Sequence, residues 1–493
     1  MSASVDKVSV GHPLWSGWGS VALLFLVAGV FVSVCKLTNP YSYWLDELYS
    51  VTASHENMAS LNQILLSDVH PPLYQLLLKG WMFVFGEGEV ATRSLSWFFA
   101  VASLYPVWKC ASRYGVAFFV CSLAVFSTNM LFTSYANESR SYAMVLFLAT
   151  LVSTLYVAEI HKRISPVFLL VCAALSLTHY FGLIFVGVML GLQLIERRAD
   201  RDSILKILGT GVATGLWPLY HALSGALLNK SGGNFSIQVH GVLDTVGIAA
   251  SGFMPRFERF GAYVLIGGIV GAMGILYSGK WRSASSACDL NRVTFKLALF
   301  LTCFLCLMAL IDLVSPMSTR RNYIVILPVV TLLIAGVVQI VSQSSVKCTH
   351  VLLVVVCMYS ALALKKSFDE VTHRANPDEN WKEASQFIVK NFQGEHVYFT
   401  TEDYHGWSEN NVDRSWREKI ATFYLRKDGG GRFFALPYVI GETSLQRPAL
   451  ILWGHNPLSM EKLSEEMKKF DAIRAFPFPG YSGGWGVGVY RLK

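Results

Sequence analysis

The sequence has little charge for its length. Only 15% of its 493 residues are Asp, Glu, Lys or Arg, whereas 53% are hydrophobic. Soluble proteins of this size do not carry apolar sequence in such long runs. From Val21 to Leu364 apolar stretches alternate with short polar hinges, and after Lys365 the chain becomes charged and polar. This predicts a polytopic α-helical membrane domain, residues 1–365, followed by a small water-soluble domain, residues 366–493.

The sequence also lacks the patterns of several kinds of site. None of the nine cysteines lies in residues 39–90 or 366–493, which excludes a disulfide framework there. No group of His, Cys, Asp or Glu has convincing metal-ligand spacing, so no cofactor is required and a divalent metal is left without support. The net charge of +8 comes from basic residues clustered in short hinges, where topology signals belong, which argues against a nucleic-acid partner.

The basic hinges are Lys109–Arg113, His161–Arg163, Arg197–Arg201, Lys280–Arg282 and Lys347. They predict which loops are cytoplasmic, because cytoplasmic loops are enriched in Lys and Arg. Ile164–Ile195 lies between two such hinges and as one helix would be about 48 Å long, against a hydrocarbon core of about 30 Å. We therefore expect two short spans that fold back outside at Thr178–Gly182. Pro71–Phe85, about 22 Å long as a helix, is expected to lie on the outer leaflet without crossing.

This rule predicts about eleven spans, with the amino terminus cytoplasmic and the C-terminal domain extracytoplasmic. The expected spans are 19–38, 91–109, 115–133, 141–159, 164–178, 181–195, 204–223, 261–278, 294–313, 322–342 and 349–364. Residues 39–90 form the first outer loop. The C-terminal domain is expected to be α/β, and its role is left open between acceptor recognition and stabilising the outer loops. Its predicted elements are helices Trp381–Asn391, Ser415–Arg426 and Met460–Phe470 and strands His396–Thr400 and Ala449–Trp453.

Two adjacent carboxylates, Asp46 and Glu47, follow the first apolar run and are flanked by Tyr43, Trp44 and Tyr49. They could be a solvated loop pair, or a helix cap followed by a first-turn acid that the helix dipole favours. The aromatic flanks instead favour a lined pocket, in which a carboxylate can act as a base.

The predicted topology brings further polar residues to the same outer face. His70 lies at a proline-stiffened bend and His179 at a membrane turn, and Arg93, Arg140 and Arg321 lie at the outer rims of spans. Each has a structural alternative, because an arginine can anchor a helix in lipid headgroups and an interfacial histidine can have only local partners. Several arginines beside a carboxylate pair favour an anionic ligand, and the guanidinium fork suits phosphate.

Five short motifs occur in a defined order along the membrane domain. They are Trp44-Leu45-Asp46-Glu47, His70-Pro71-Pro72-Leu73-Tyr74, the segment from Gly86 to Thr92-Arg93-Ser94-Leu95-Ser96, Glu138-x-Arg140-x-Tyr142, and Arg321 seven positions before Pro328. In this order they resemble the membrane glycosyltransferases of the GT-C class, above all the bacterial branch related to protein O-mannosyltransferases and the lipid A aminoarabinose transferases. The resemblance covers Trp15 to about Gly336, with Asn322 where the family often has tyrosine.

The resemblance implies a GT-C-like fold with outer-leaflet juxtamembrane helices, in the bacterial cytoplasmic (inner) membrane. It also implies inverting transfer of a sugar from a polyprenyl-phosphate donor to a hydroxyl of a lipid, polysaccharide or protein acceptor at the extracytoplasmic face. Asp46 then takes the role of general base, and Glu47 orients the acceptor or shares its proton. The predicted substrate-binding residues are His70, Arg93, Arg140, Tyr142, His179 and Arg321, and the resemblance implies that the three arginines lie near the lipid phosphate.

Two rival functions are a transporter or flippase of lipid-linked saccharides and a glycan polymerase. Transporters place ionisable residues near the midplane, on interrupted helices in repeated halves. The predicted spans here are nearly free of charge and show no internal repeat, which favours an enzyme. A polymerase would use similar chemistry at the outer face and stays open within the enzyme class.

Overall fold

The structure is a computed structural model of the whole chain. It describes residues 17–493 apart from 39–40, 68–69, 159–163, 197–199, 224–240, 254–261, 264, 268, 271–273, 275–284, 374–379, 393–394, 402–418, 421, 430–434, 438–447, 455–467, 469 and 478–485. The predicted span 261–278 and the predicted helix Met460–Phe470 therefore lie largely outside the described residues.

The first apolar run forms helix α1, Gly17–Thr38, and the loop after it is itself helical. This loop holds α2, Leu45–His55, then α3, Met58–Ser67, and α4, Leu73–Phe85. Helix α4 ends at Gly86, whose φ of 86° lies in the left-handed region. The N–H of Gly86 donates to the carbonyl of Met82. The prediction of a short helix over this apolar segment is confirmed, while its position on the outer leaflet stays a prediction.

The next helices follow the predicted spans closely. They are α5 Glu89–Ala111, α6 Val116–Thr128, α7 Met130–Tyr135, α8 Tyr142–Ala158, α9 Pro166–Ser176, α10 Tyr180–Glu196 and α11 Arg201–Leu223. The stretch Ile164–Ile195 forms two helices, α9 and α10, as predicted. At their junction only glycine fits at position 182, because a Cβ there would lie 2.5 Å from the carbonyl oxygen of Leu175. The expected single span 115–133 is instead broken at Asn129, whose side chain accepts the N–H of Leu131 and starts α7.

Further helices are described in the second half of the membrane domain. They are α12 Val242–Ser251, α13 Ser285–Val314, a 3₁₀ helix Arg320–Ile326, α14 Leu327–Ser342 and α15 Val346–His373. The expected span 322–342 changes from 3₁₀ to α geometry at Leu327, and Pro328 follows in the first turn of the α-helix, where proline is tolerated. Helix α15 continues past residue 365, so the domain boundary stays a prediction.

Among the described residues, four helical segments are long and apolar enough to cross a membrane on their own. They are Gly17–Thr38, Asp289–Val314, Arg320–Ser342 and Val346–Val371. Further helices, among them α6, α8, α9 and α10, are apolar but shorter. The number of spans and their orientation therefore stay predictions.

The C-terminal domain contains a mixed sheet and two described helices, α16 Trp381–Asn391 and α17 Phe423–Gly429. The sheet has the order β2-β1-β3-β5-β4, with parallel pairing of β1 to β2 and β3 and antiparallel pairing of β5 to β3 and β4. The strands are β1 His396–Thr401, β2 Ala435–Pro437, β3 Ala449–Gly454, β4 Phe470–Pro477 and β5 Gly486–Leu492. The α/β prediction is confirmed. The predicted helix Ser415–Arg426 overlaps α17, but residues 415–418 and 421 lie outside the described part.

Candidate active site

The acidic pair lies in the first turn of α2, after the N-cap residue Trp44. The helix dipole favours carboxylates at this end. Because successive residues on an α-helix point about 100° apart, the two carboxylates face different surroundings. Asp46 is partly exposed, whereas Glu47 is completely buried.

Asp46 faces two arginines from distant segments. Nη1 of Arg321 donates to its Oδ2 at 2.9 Å, and Nη2 of Arg140 lies 3.7 Å from the same oxygen. Arg140 is also held by its Nη1, which donates to the backbone carbonyl of Asp46 at 3.2 Å and to Oγ of Ser50 at 3.1 Å. Two positive charges thus converge on one accessible carboxylate oxygen, an arrangement that can also hold a phosphate.

Aromatic rings support both guanidinium groups. Cζ of Arg321 lies 5.5 Å from the ring centre of Trp44 and 5.7 Å from that of Tyr142. Arg140 lies 6.0 Å from the same Tyr142 ring. Such contacts stabilise a cation while its N–H groups stay directed at an anion.

Two histidines complete the cluster. Nε2 of His70 lies 3.5 Å from Nη2 of Arg140, and the His70 and His179 ring centres are 5.3 Å apart. His179 in turn lies 5.9 Å from the ring of Tyr142 and accepts the N–H of Phe181 through Nδ1. The turn between α9 and α10 therefore places His179 beside His70 and Tyr142, which both contact Arg140.

A small cavity adjoins this cluster and has room for about one water molecule. It is lined by Ser50, His70, Pro71, Tyr74, Gln75, Arg140, Ser141 and Thr178. Ser50 and Gln75 were not singled out from the sequence. Ser50 lies one helical turn after Asp46, and that spacing was the available signal for it.

Glu47 and Arg93 form a buried pair away from this cluster. Nε and Nη2 of Arg93 donate to the two Glu47 oxygens at 2.8 and 2.6 Å, and both side chains are at most 1% exposed. Arg93 also donates to the carbonyls of Tyr41 and Ser42, and Glu47 accepts the N–H of Ser139 at 2.8 Å. The pair joins α2, α5 and the segment before α8.

The structure thus brings together six of the eight predicted site residues and sets two apart. The six are Asp46, His70, Arg140, Tyr142, His179 and Arg321. Glu47 and Arg93 direct their charged ends at each other, so their predicted roles with the acceptor and the phosphate have no geometric support here and stay predictions. Within the described ranges no three His, Cys, Asp or Glu residues cluster as metal ligands.

The C-terminal domain is anchored on the loop that carries Asp46. Lys382 Nζ donates to Oε1 of Glu89 at 2.8 Å, and the hydroxyl of Tyr424 donates to the same oxygen at 3.1 Å. The Tyr424 hydroxyl also accepts the N–H of Tyr43, and Oγ of Ser42 accepts the N–H of Lys382. These contacts end beside the Glu47–Arg93 pair, because Ser42 contacts both Lys382 and Arg93.

The ionisation of this interface follows from its contacts. Burial by itself would raise the pKa of Glu89, but hydrogen bonds from Lys382 and Tyr424 outweigh it and the pKa lies below its ordinary value. Burial raises the pKa of Tyr43 and of Tyr424 well above the phenol's usual range. The interface therefore has an ionised Glu89 and two neutral tyrosines at neutral pH.

Comparison with solved structures identifies the fold. No protein-family model and no curated protein matches the sequence. ArnT from Cupriavidus metallidurans in the apo state superposes with a TM-score of 0.54 at 11% identity, covering 97% of this chain and 98% of that one. The same protein bound to undecaprenyl phosphate gives 0.50 at 12% identity over the same shares. An oligosaccharyltransferase from Archaeoglobus fulgidus gives 0.45 at 10% identity, covering 94% of this chain and 72% of that one.

The match to ArnT extends over nearly the whole of both chains, so the resemblance drawn from the motifs is confirmed at the level of the fold. The chain is an integral membrane protein with a polytopic, GT-C-like helical domain and a small C-terminal α/β domain.

Proposed function

We propose that this protein is an inverting glycosyltransferase that moves a sugar from a polyprenyl-phosphate donor to a hydroxyl acceptor at the extracytoplasmic face of the bacterial cytoplasmic membrane. The observation that carries the proposal is the contact of Asp46 with Arg321 and Arg140 within an ArnT-like fold. ArnT has been crystallised with undecaprenyl phosphate, which supports a donor carrier of that class.

In the proposed reaction, the donor phosphodiester takes the N–H donors of Arg140 and Arg321 that now point at the Asp46 carboxylate. Anionic phosphate oxygens fit the guanidinium fork as a carboxylate does. The exchange frees Asp46, which is a weak base while two cations stabilise its negative charge. The rings of Trp44 and Tyr142 keep the guanidinium groups in place during the exchange.

The chemical step is a single displacement at the anomeric carbon. The acceptor oxygen bonds to that carbon as the bond to the phosphate oxygen breaks, and Asp46 takes the hydroxyl proton. The electron pair of the broken bond leaves with polyprenyl phosphate, whose added negative charge Arg140 and Arg321 stabilise. One displacement inverts the anomeric configuration.

The test is loss of sugar from a synthetic polyprenyl-phosphate donor in membranes that contain the protein. Asp46→Asn should lower the turnover by about 10²–10⁴-fold, the range expected for a general base. Asp202→Asn is the matched control, because Asp202 pairs with Lys206 at an exposed site on α11. Wild-type turnover in Asp46→Asn would exclude Asp46 as the base.

The same assay separates the enzyme from the transporter reading. A flippase moves the intact donor across the bilayer without breaking the sugar–phosphate bond. Donor that changes leaflet but keeps its sugar, in wild type and Asp46→Asn alike, would refute the proposed function.

A further inference from the structure

Another buried carboxylate contacts the loop that leads to Arg321. Asp312 is in the last turn of α13 and is 1% exposed. It is the only acidic residue in the predicted span 294–313. A charged group near the end of an apolar helix is costly unless polar neighbours satisfy it. Its position therefore calls for a specific set of partners.

The partners of Asp312 come from the loop that leads to Arg321. Its Oδ1 accepts the backbone N–H of Met317 at 2.9 Å and that of Ser318 at 3.1 Å. Its Oδ2 accepts the hydroxyl of Thr245, on α12, at 2.8 Å. One carboxylate thus ties the end of α13, the following loop and α12 together.

The loop is also closed onto the 3₁₀ helix that carries Arg321. Oγ of Ser318 lies 2.8 Å from the hydroxyl of Tyr323, and Nδ2 of Asn322 donates to the carbonyl of Met317 at 3.2 Å. Arg321 lies between these anchored positions and extends to Asp46. The backbone that presents its guanidinium group is therefore held at residues before and after it.

We propose that Asp312 is a positioning residue that sets the location of Arg321 and through it the phosphate site. Asp312 contacts neither Asp46 nor the aromatic rings of the site among the contacts that the structure describes. It acts by capping the loop N–H groups, which would otherwise be buried without acceptors. For its activity readout this inference rests on the proposed function.

The first measurement does not depend on function. Hydrogen exchange of the backbone amides in residues 315–323 is compared between wild type, Asp312→Ala and Asp312→Asn. The alanine variant loses all three hydrogen bonds and should exchange faster in this segment. The asparagine variant keeps an oxygen that can accept both N–H groups and should exchange like wild type. Unchanged exchange in Asp312→Ala would overturn the inference, whether or not the protein transfers sugar.

The second measurement asks whether Asp312 acts through Arg321. Asp312→Ala should lower kcat/KM for the polyprenyl-phosphate donor on the order of 100-fold, as expected when a binding group moves by about 1 Å. The same change in an Arg321→Ala background should alter kcat/KM by no more than about twofold, because the group it positions is gone. Equal losses in both backgrounds would overturn the inference.

A matched control lies on the same helix. Lys296, nearer the start of α13, pairs with Glu196, and Lys296→Met removes a buried charge without touching the loop. It should lower the thermal stability, leave the exchange of residues 315–323 unchanged, and act equally in both Arg321 backgrounds. If wild type transfers no sugar while Asp312→Ala still loosens the loop, the proposed function fails and the positioning of Arg321 by Asp312 stands.

Discussion

The buried Glu47–Arg93 pair makes a quantitative prediction about stability. Glu47→Gln removes the negative charge but keeps the size of the side chain, and leaves the Arg93 guanidinium buried without a counter-charge. The pair makes two charge-assisted hydrogen bonds at 2.8 and 2.6 Å, and neither side chain is more than 1% exposed. Removing one partner of such a pair costs about 3–5 kcal/mol.

The same chemical change at a more accessible pair gives the comparison. Asp202 pairs with Lys206 at 2.6 Å, and the two side chains keep 53% and 38% of their surface exposed. Asp202→Asn should therefore cost no more than about 1 kcal/mol, since solvent screens the interaction. Thermal unfolding of the two variants in one detergent should show a markedly larger fall in Tm for Glu47→Gln. Equal shifts would refute the claim that burial makes this pair important for stability.

A double variant separates a structural role from a role with substrate. Glu47→Gln combined with Arg93→Met leaves no unpaired charge, so most of the lost stability should return. The glutamine oxygen can still accept the N–H of Ser139. If the pair only supports α2, sugar transfer returns together with stability. A double variant that is stable but inactive would instead favour the roles predicted from the motifs, with Glu47 at the acceptor and Arg93 at the phosphate.

Three further predictions concern the phosphate site, the domain interface and α4. Arg321→Ala should raise the KM for the donor by about 10–100-fold, because a hydrogen bond to a charged group contributes about 1.5–3 kcal/mol. Arg320→Ala should raise it much less. Equal effects would contradict the proposal that Arg321 holds the donor phosphate. The pKa of Glu89 in the folded protein is depressed, so its contact with Lys382 stabilises the protein above about pH 4.3. This stabilisation is lost as the pH falls through the folded pKa. Lys382→Met should therefore flatten the dependence of Tm on pH below about pH 4.3. Phe83 on α4 is 93% exposed, and we expect it to face lipid. A spin label at Phe83→Cys, in a chain without other cysteines, should therefore collide with oxygen, which dissolves in the bilayer, more than with a water-soluble nickel complex. Stronger collision with nickel would place α4 in water.

The broad class of this protein was predictable because its signals are local. Composition alone separates the apolar part from the polar C-terminal part, and helix rise against bilayer thickness predicts the break between α9 and α10. The motif order pointed to the fold, and Asp46 was named because carboxylates beside aromatic residues stand out in the sequence. Strand β1 and strand β3 were predicted, whereas β2, β4 and β5 were missed, because short strands depend on partners far along the chain.

The pairing of the charged residues depends on the packing of distant helices. Asp46 and Glu47 are adjacent in sequence, yet helix geometry sends one to Arg140 and Arg321 and the other to Arg93. These arginines are 46 to 275 positions away from the carboxylates they contact, so no local pattern distinguishes an arginine that faces Asp46 from a buried one. That acidic and basic residues accompany an apolar helical domain follows from the order of the amino acids alone. Whether a charged residue joins the accessible cluster around Asp46 or the buried Glu47–Arg93 pair depends on which helices pack together. The physical reason is that solvent is excluded from a side chain only by the packing of the whole chain around it.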